Sequence, residues 1–262
     1  MAATLYRAMK VAVVVAVPLV FVGAGLWVFH MGSLVGDRCQ AEPRPRIDWE
    51  DCTKTQLLLA GSDLTEAILT SATLTGTDLS RAKMNGTKLD GTEISRTRLI
   101  DADLTGATLA KAIGWRADFT GARMENADLT GTDLSRSLFT GARLAGANLA
   151  KAEVSRADFS GADLSGANVT KAELARAVFQ KARLTRTDFS HSNLSRADLE
   201  GLDLQEANLT GAYLYLTRLA GADLSRTIGL TPAEIGIACG SPETKLPPGL
   251  DRPHSWSCED GD

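Results

Sequence analysis

Between Leu57 and Thr227 the chain repeats a five-residue pattern of apolar and polar positions. Stepping by five from Leu59 to Leu224 visits thirty-four positions, and all but Gly114 are Leu, Ile, Val, Met or Phe. Two residues before each large side chain stands a small one. Of the thirty-three such positions from Ser62 to Ala222, 22 are Ala, 7 are Thr and 3 are Ser, with Leu202 the exception. An α-helix cannot use this spacing, because five residues turn it by ~500° and each successive leucine drifts about 140° around the axis. An extended segment can. Residues two apart share a face, so the small and the large side chain both point inward and the polar one between them points out. Ser or Thr and then Gly, Arg or Lys follow the large residue, which suits a turn. Each repeat is one side of a coil.

One side cannot stand alone. Burying its leucine contributes ~1.5–3 kcal/mol, whereas fixing its five residues costs ~1–2 kcal/mol each in backbone entropy. Stability must come from stacking coil on coil, with backbone hydrogen bonds between coils and alanines that let the walls approach closely. The number of sides follows from rarer residues: Phe119, Phe139, Phe159 and Phe179 recur at twenty, as do Arg96, Arg116, Arg136, Arg156, Arg176 and Arg196. Twenty is four repeats. A four-sided coil puts the phenylalanines in one inner column, with Phe189 off it, and the arginines along one outer corner. The whole is an all-β solenoid of about 8.5 coils, ~40 Å tall at the ~4.8 Å spacing of paired strands.

Runs such as Ala127-Asp128-Leu129-Thr130-Gly131, Ala147-Asn148-Leu149 and Ala162-Asp163-Leu164-Ser165-Gly166 resemble the pentapeptide repeat family. The resemblance covers about 170 of the 262 residues. It implies a right-handed quadrilateral β-helix, a winding sense that spacing alone does not supply. It implies no single function, because the same tower serves many roles.

The flanks differ in composition and divide the chain into residues 1–35, a membrane anchor; 36–56, a tether and lower cap; 57–227, the β-helix; and 228–262, a capping helix and tail. From Val11 to Phe29 nineteen residues carry no charge and follow Arg7 and Lys10. At ~1.5 Å per residue they span about 28 Å, enough for one transmembrane crossing. A cleaved signal peptide is the rival reading, but its apolar core usually runs ~7–15 residues, so an uncleaved signal-anchor is preferred. Flanking positive charge barely decides orientation, since Arg38, Arg44 and Arg46 follow the span. At the other end Thr231-Pro232-Ala233-Glu234 offers an N-cap, a proline at the first helical position and a returning glutamate, ahead of Ile235 to Cys239 and Gly240.

The four cysteines lie outside the repeats in two local pairs, Cys39 with Cys52 and Cys239 with Cys258. Two disulfides closing short loops at the tower's ends would place the body in an oxidising compartment, most simply a bacterial periplasm. Four reduced thiols are the alternative. A zinc site lacks a close Cys-x-x-Cys pair.

Candidate chemistry is sparse. Only His30, His191 and His254 exist, and no nucleophile elbow, phosphate loop or metal-ligand cluster is present, so the expectation is a non-catalytic protein without a cofactor. The outward aspartates read as a solvated face rather than calcium ligands. The net charge of −4, from 28 basic and 32 acidic residues, gives no general electrostatic hold on nucleic acid.

Three features could bind a partner. The arginine column is the first; its like charges need compensation, which Glu93, Asp133, Glu153 and Glu173 three residues before and Asp118, Asp158 and Asp198 two residues after could supply as an ion-pair network, the alternative being an anion site. The second is Tyr213, Tyr215 and Leu216, which face outward near the far end and suit either a partner or the C-terminal tail. The third is Gly114, where a bulge turning Ile113 or Trp115 inward is preferred over a small cavity.

The expected role is a membrane-anchored, extracytoplasmic scaffold that binds another protein along a rigid wall. The family resemblance also suggests a DNA mimic that occupies a topoisomerase, but the repeats from Leu57 to Thr227 hold 20 basic and 21 acidic residues, where a DNA mimic needs a strongly negative face. A mechanical spacer in the cell envelope is the third reading.

Overall fold

The computed structural model describes residues 38–254 and Trp256. The chain divides into two units, Met1–Ser33 and Leu34–Asp262, and every described residue belongs to the second. No helix among the described residues is long and apolar enough to cross a membrane. The expected span, residues 11–29, lies outside them.

The five-residue code folds as expected into four-sided coils. Through the repeats the outward residues pair in parallel with residues twenty further on, as in Asp128 with Asn148 and Asn148 with Asn168. Three backbone bonds per side carry the ladder, for instance Leu129 N–H to Asn148 C=O at 2.7 Å, Gly131 N–H to Ala150 C=O at 2.9 Å and Asn148 N–H to Ala127 C=O at 2.9 Å. A fourth closes each corner, as Ala147 N–H donates to Leu144 C=O at 3.0 Å. The third residue of that corner, here Gly146 at φ 68°, lies in the left-handed region, as in a type II turn.

Glycine fills many corners, yet arginine, lysine, aspartate, glutamate, asparagine and others occupy the rest at φ 53–61°. No β-branched residue stands at any of them, because a branched Cβ clashes hardest with the backbone there.

The large and small inward residues are both buried from Leu64 to Leu224. Phe119, Phe139, Phe159 and Phe179 stack at centroid separations of 4.9, 4.8 and 5.2 Å, which measures the rise per coil, and Phe189 meets Phe179 edge-on at 6.1 Å. Where Thr or Ser replaces the small alanine, its hydroxyl donates to a backbone carbonyl, either of the preceding coil, as Thr87 to Leu64, Thr92 to Leu69 and Thr97 to Leu74, each at 2.8 Å, or of its own corner, as Thr132 to Leu129 at 2.9 Å and Ser192 to Phe189 at 2.6 Å. A buried hydroxyl is thereby satisfied, which is why threonine shares the position with alanine.

The ladder reaches beyond 57–227 at both ends. It starts with Asp48 paired to Ile68, and Ile47, Trp49 and Cys52 already point inward in the same frame. Lys54 takes the next leucine position and lies 4.0 Å from the centroid of Trp49, with its pKa lowered by burial. Cys39 and Cys52 form a disulfide, and Arg38 pairs with Asp48 at 3.1 Å, so the segment preceding the first coil is fastened to it. No described cysteine is free. The second expected pairing involves Cys258, which lies outside the described residues.

At the far end a single short helix, α1 (Pro232–Gly236), forms with the expected capping box: Ala233 N–H donates to the Thr231 hydroxyl and Thr231 N–H to the Glu234 carboxylate. It stops at Gly236 rather than running on to Cys239, because the chain rejoins the ladder: Cys239 pairs with Arg218 and Lys245 with Asp223. Trp256 is buried against Gly240, whose N–H donates to its carbonyl at 3.0 Å. The C-terminal segment thus covers part of the upper strand edge, as a stacked solenoid requires, while Leu58 in the first coil stays 88% exposed.

Candidate functional site

The outward aspartates and asparagines have a structural task. Their side-chain oxygen accepts the backbone N–H two residues on and so fixes the corner: Asp118 from Thr120 at 3.0 Å, Asp128 from Thr130 at 3.0 Å, Asp158 from Ser160 at 2.9 Å, Asn193 from Ser195 at 3.0 Å. These are Asx turns repeated up the tower. The same bonds shift titration. In Asp63 and Asp78 the hydroxyl of the residue two on, then its backbone N–H, hold the carboxyl below the usual range. The outward aspartates are visible in the sequence, but solvation alone does not disclose these turn bonds.

On one wall these turns leave cations to pair with carboxylates in neighbouring coils. Lys83 meets Asp63 at 3.8 Å, Arg123 meets Asp103 at 3.7 Å, Arg143 meets Glu125 at 2.7 Å, and Arg183 meets Asp163 at 3.6 Å. Among the described residues no group of three or more His, Cys, Asp or Glu could hold a metal ion.

The arginine column behaves differently. Arg96, Arg116, Arg136, Arg156, Arg176 and Arg196 all occupy left-handed corners, at φ 57–61°. All are exposed except Arg196, which is half-buried. The expected ion-pair network does not form among the described residues. Lys83, Arg98, Arg123, Arg143, Arg183, Arg218, Arg226 and Lys245 are paired, but none of the six reaches a described carboxylate within 4.0 Å. Of the carboxylates expected to neutralise them, Glu93 accepts from Ser95 N–H at 2.9 Å, Asp133 from Ser135 N–H at 3.1 Å, and Glu173 from the Asn193 amide at 2.8 Å. What touches the column is aromatic. The guanidinium carbon of Arg116 lies 4.2 Å from the centroid of Trp115, and that of Arg136 lies 5.9 Å from the same ring.

Gly114 makes no bulge. Its N–H donates to Asp133 C=O at 2.7 Å and Ile113 stays in the outward ladder between Glu93 and Asp133, 48% exposed. Neither Ile113 nor Trp115 turns in. The side chains of Ile94 and Leu134 lean over the missing leucine instead, so that a Cβ on Gly114 would lie 2.5 Å from Leu134 Cδ2 and 2.9 Å from Ile94 Cγ1. The gap is filled and no cavity opens there.

Tyr213 and Tyr215 are 51% and 44% exposed, with rings 6.1 Å apart and nearly parallel. They stand in the outward positions that Ile113 and Trp115 take five coils earlier. Leu216 is half-buried, and its N–H donates to Ile237 C=O at 2.8 Å, so the C-terminal segment lies over the top of the arginine column and leaves the tyrosines open.

A family model described as "Pentapeptide repeat region" matches residues 132–209, and one described as "Pentapeptide repeats (8 copies)" matches 58–96, 97–136 and 192–228. The chain belongs to the pentapeptide repeat family. Among solved structures it is similar to HetL, a pentapeptide repeat protein involved in heterocyst differentiation regulation in the cyanobacterium Nostoc, at 30% identity over 79% of this chain and 92% of that one, TM-score 0.49. It is also similar to QnrB1, a plasmid-mediated fluoroquinolone resistance protein, at 17% identity over 73% and 90%, TM-score 0.42. A pentapeptide repeat protein of the Arabidopsis thaliana thylakoid lumen aligns at 31% identity over 48% and 70%, TM-score 0.17. No curated protein matches. This pentapeptide repeat tower thus carries six arginines in line along one corner, none of them paired with a carboxylate among the described residues.

Proposed function

We propose that the chain is a non-catalytic scaffold, anchored in a membrane by residues 11–29, whose tower stands outside the cytoplasm and binds another protein along the arginine-bearing wall. The observation that carries the binding half is the line of six guanidiniums without carboxylate partners, held on a backbone that has already lost its folding entropy. Such pre-organisation favours association because little remains to be ordered when the partner arrives. The Cys39–Cys52 bond supports the compartment, since structural disulfides persist in oxidising surroundings. The near-balance of 20 basic and 21 acidic residues in the repeats speaks against DNA mimicry.

Two experiments test the halves separately. An alkaline phosphatase fused after Asp262 is expected to be active, and the protein to stay with membranes after a carbonate wash; activity only from a cytoplasmic reporter refutes the compartment. A photo-crosslinker at Ser155, beside Arg156, is expected to give a discrete adduct in cells. A crosslinker at Asp188, on another wall, is the control. Absence of adducts from every wall refutes the scaffold and leaves the spacer.

A further inference from the structure

We infer that the occupant of this wall is an α-helix of about four and a half turns carrying a stripe of acidic residues, with an apolar side chain at each end. The inference rests on the scaffold reading and specifies the partner's chemistry. Its basis is a match of periods. The column repeats at the coil rise of 4.8–5.2 Å. Acidic residues at i, i+4, i+7 and onward on a helix recur every ~5.4 Å, so over the five steps from Arg96 to Arg196 the two series drift by only about 2 Å, within the reach of an arginine side chain. An extended peptide presents same-face residues every ~6.6–6.8 Å and drifts by about 9 Å over the same steps. A nucleic-acid strand, with a charge every ~3.4 Å, drifts by about 8 Å in the other direction.

Width makes the same selection. The faces on either side of the corner carry acids, Asp133, Glu153 and Glu173 on one and Asp118, Asp158 and Asp198 on the other. A broad polyanion such as a duplex or an anionic bilayer would press on these carboxylates, whereas a single file of anions lies between them. Apolar seats bracket the five arginines from Arg116 to Arg196: Ile113 and Trp115 stand beside Arg116, with Arg96 one coil below, and Tyr213 and Tyr215 stand one coil beyond Arg196, all partly open. Those seats are five coils apart, about 25 Å, which is ~16 helical residues. Trp115 also shows that the column already accepts a planar apolar neighbour, since Arg116 lies 4.2 Å from its centroid.

The test uses the full-length protein in neutral detergent and a stapled helical peptide with glutamates at i, i+4, i+7, i+11 and i+14 and a leucine at each end. The control is the same composition with glutamates spread around all faces. Anisotropy titration is expected to show the striped peptide binding at least about tenfold more tightly than the control, with affinity falling steeply with salt. R136S/R156S is expected to weaken it about fivefold or more, while R123S/R183S on another wall leaves it unchanged. Equal binding of the two peptides, indifference to R136S/R156S, or tighter binding of an extended oligoglutamate, single-stranded oligo(dT) or anionic vesicles overturns the inference. If the Ser155 crosslink persists in R136S/R156S, the acidic helix is refuted and the scaffold survives. If no wall crosslinks, the scaffold itself is refuted.

Discussion

An arginine in a left-handed corner is a poor choice for stability, and Arg156 measures how poor. Its φ is 59°, its side chain is exposed, and among the described residues neither a carboxylate nor a side-chain hydrogen bond holds it. Placing a residue with a Cβ in this region costs ~1–2 kcal/mol, and replacing it by glycine removes that cost while adding ~0.5–1 kcal/mol of backbone entropy. Neighbouring guanidiniums one coil away, at the 4.8–5.2 Å rise, repel by about 0.8 kcal/mol each at the dielectric of water, and by about half that once salt screens them. Adding the screened repulsion from two neighbours, Arg156→Gly should therefore stabilise the tower by about 1–2 kcal/mol, a rise in Tm of about 2–8 °C. Arg156→Val, which brings a branched Cβ to the same corner, should destabilise by about 1–2 kcal/mol. The assay is urea and thermal unfolding followed by circular dichroism in the strand region. A loss of more than 1 kcal/mol in Arg156→Gly would show that the column braces the tower, as an ion-pair network would, and would refute its reading as a surface kept for something else.

Four further outcomes are expected. Gly114→Ala should destabilise by about 1–3 kcal/mol, since its Cβ would meet Leu134 Cδ2 at 2.5 Å; a neutral or stabilised variant in urea melts would reveal an unfilled cavity. Phe159→Ala, in the middle of the stack between Phe139 and Phe179, should cost about 3–5 kcal/mol in the same melts, whereas Phe159→Leu, the residue this column uses at Leu99 and Leu199, should cost less than half of that. Asp223 is held at a pKa of about 2 by the Lys245 ammonium, then by the hydroxyl and N–H of Ser225, so its contribution is present above pH 3.8 and is lost as pH falls towards 2. Trp256 fluorescence should accordingly report loosening of the upper cap in that window, and Asp223→Asn should already be loosened at pH 7 and insensitive across it. Cys39→Ser with Cys52→Ser opens a loop of separation 13 and should cost about 2–3 kcal/mol, seen as early protease cleavage near residues 38–52 with the later coils protected.

The sequence by itself determined the tower. A large residue every fifth position and a small one two before it can be buried together only in an extended, cornered chain, and phenylalanines at twenty admit only four sides. Thr231, Pro232 and Glu234 likewise specified α1, because a capping box is a local geometry closed by four consecutive residues. What escaped was whatever depends on competition between coils. Ile47, Trp49 and Cys52 hide the first coil because they break the aliphatic and alanine code while keeping its geometry. Ile94 and Leu134 fill the place of a leucine at Gly114, and no linear pattern shows two residues twenty apart leaning towards each other. The arginines illustrate this most sharply. Counting carboxylates along the chain suggests a neutralised column, but ion pairs form between residues stacked twenty apart: Asp63, Asp103 and Asp163 accept a backbone N–H two residues on and still meet Lys83, Arg123 and Arg183. The corner from Arg96 to Arg196 stacks arginine on arginine, so no acid stands one coil above or below to pair with those between its ends. Only the coil register decides this, and it leaves these six cations without a carboxylate partner among the described residues.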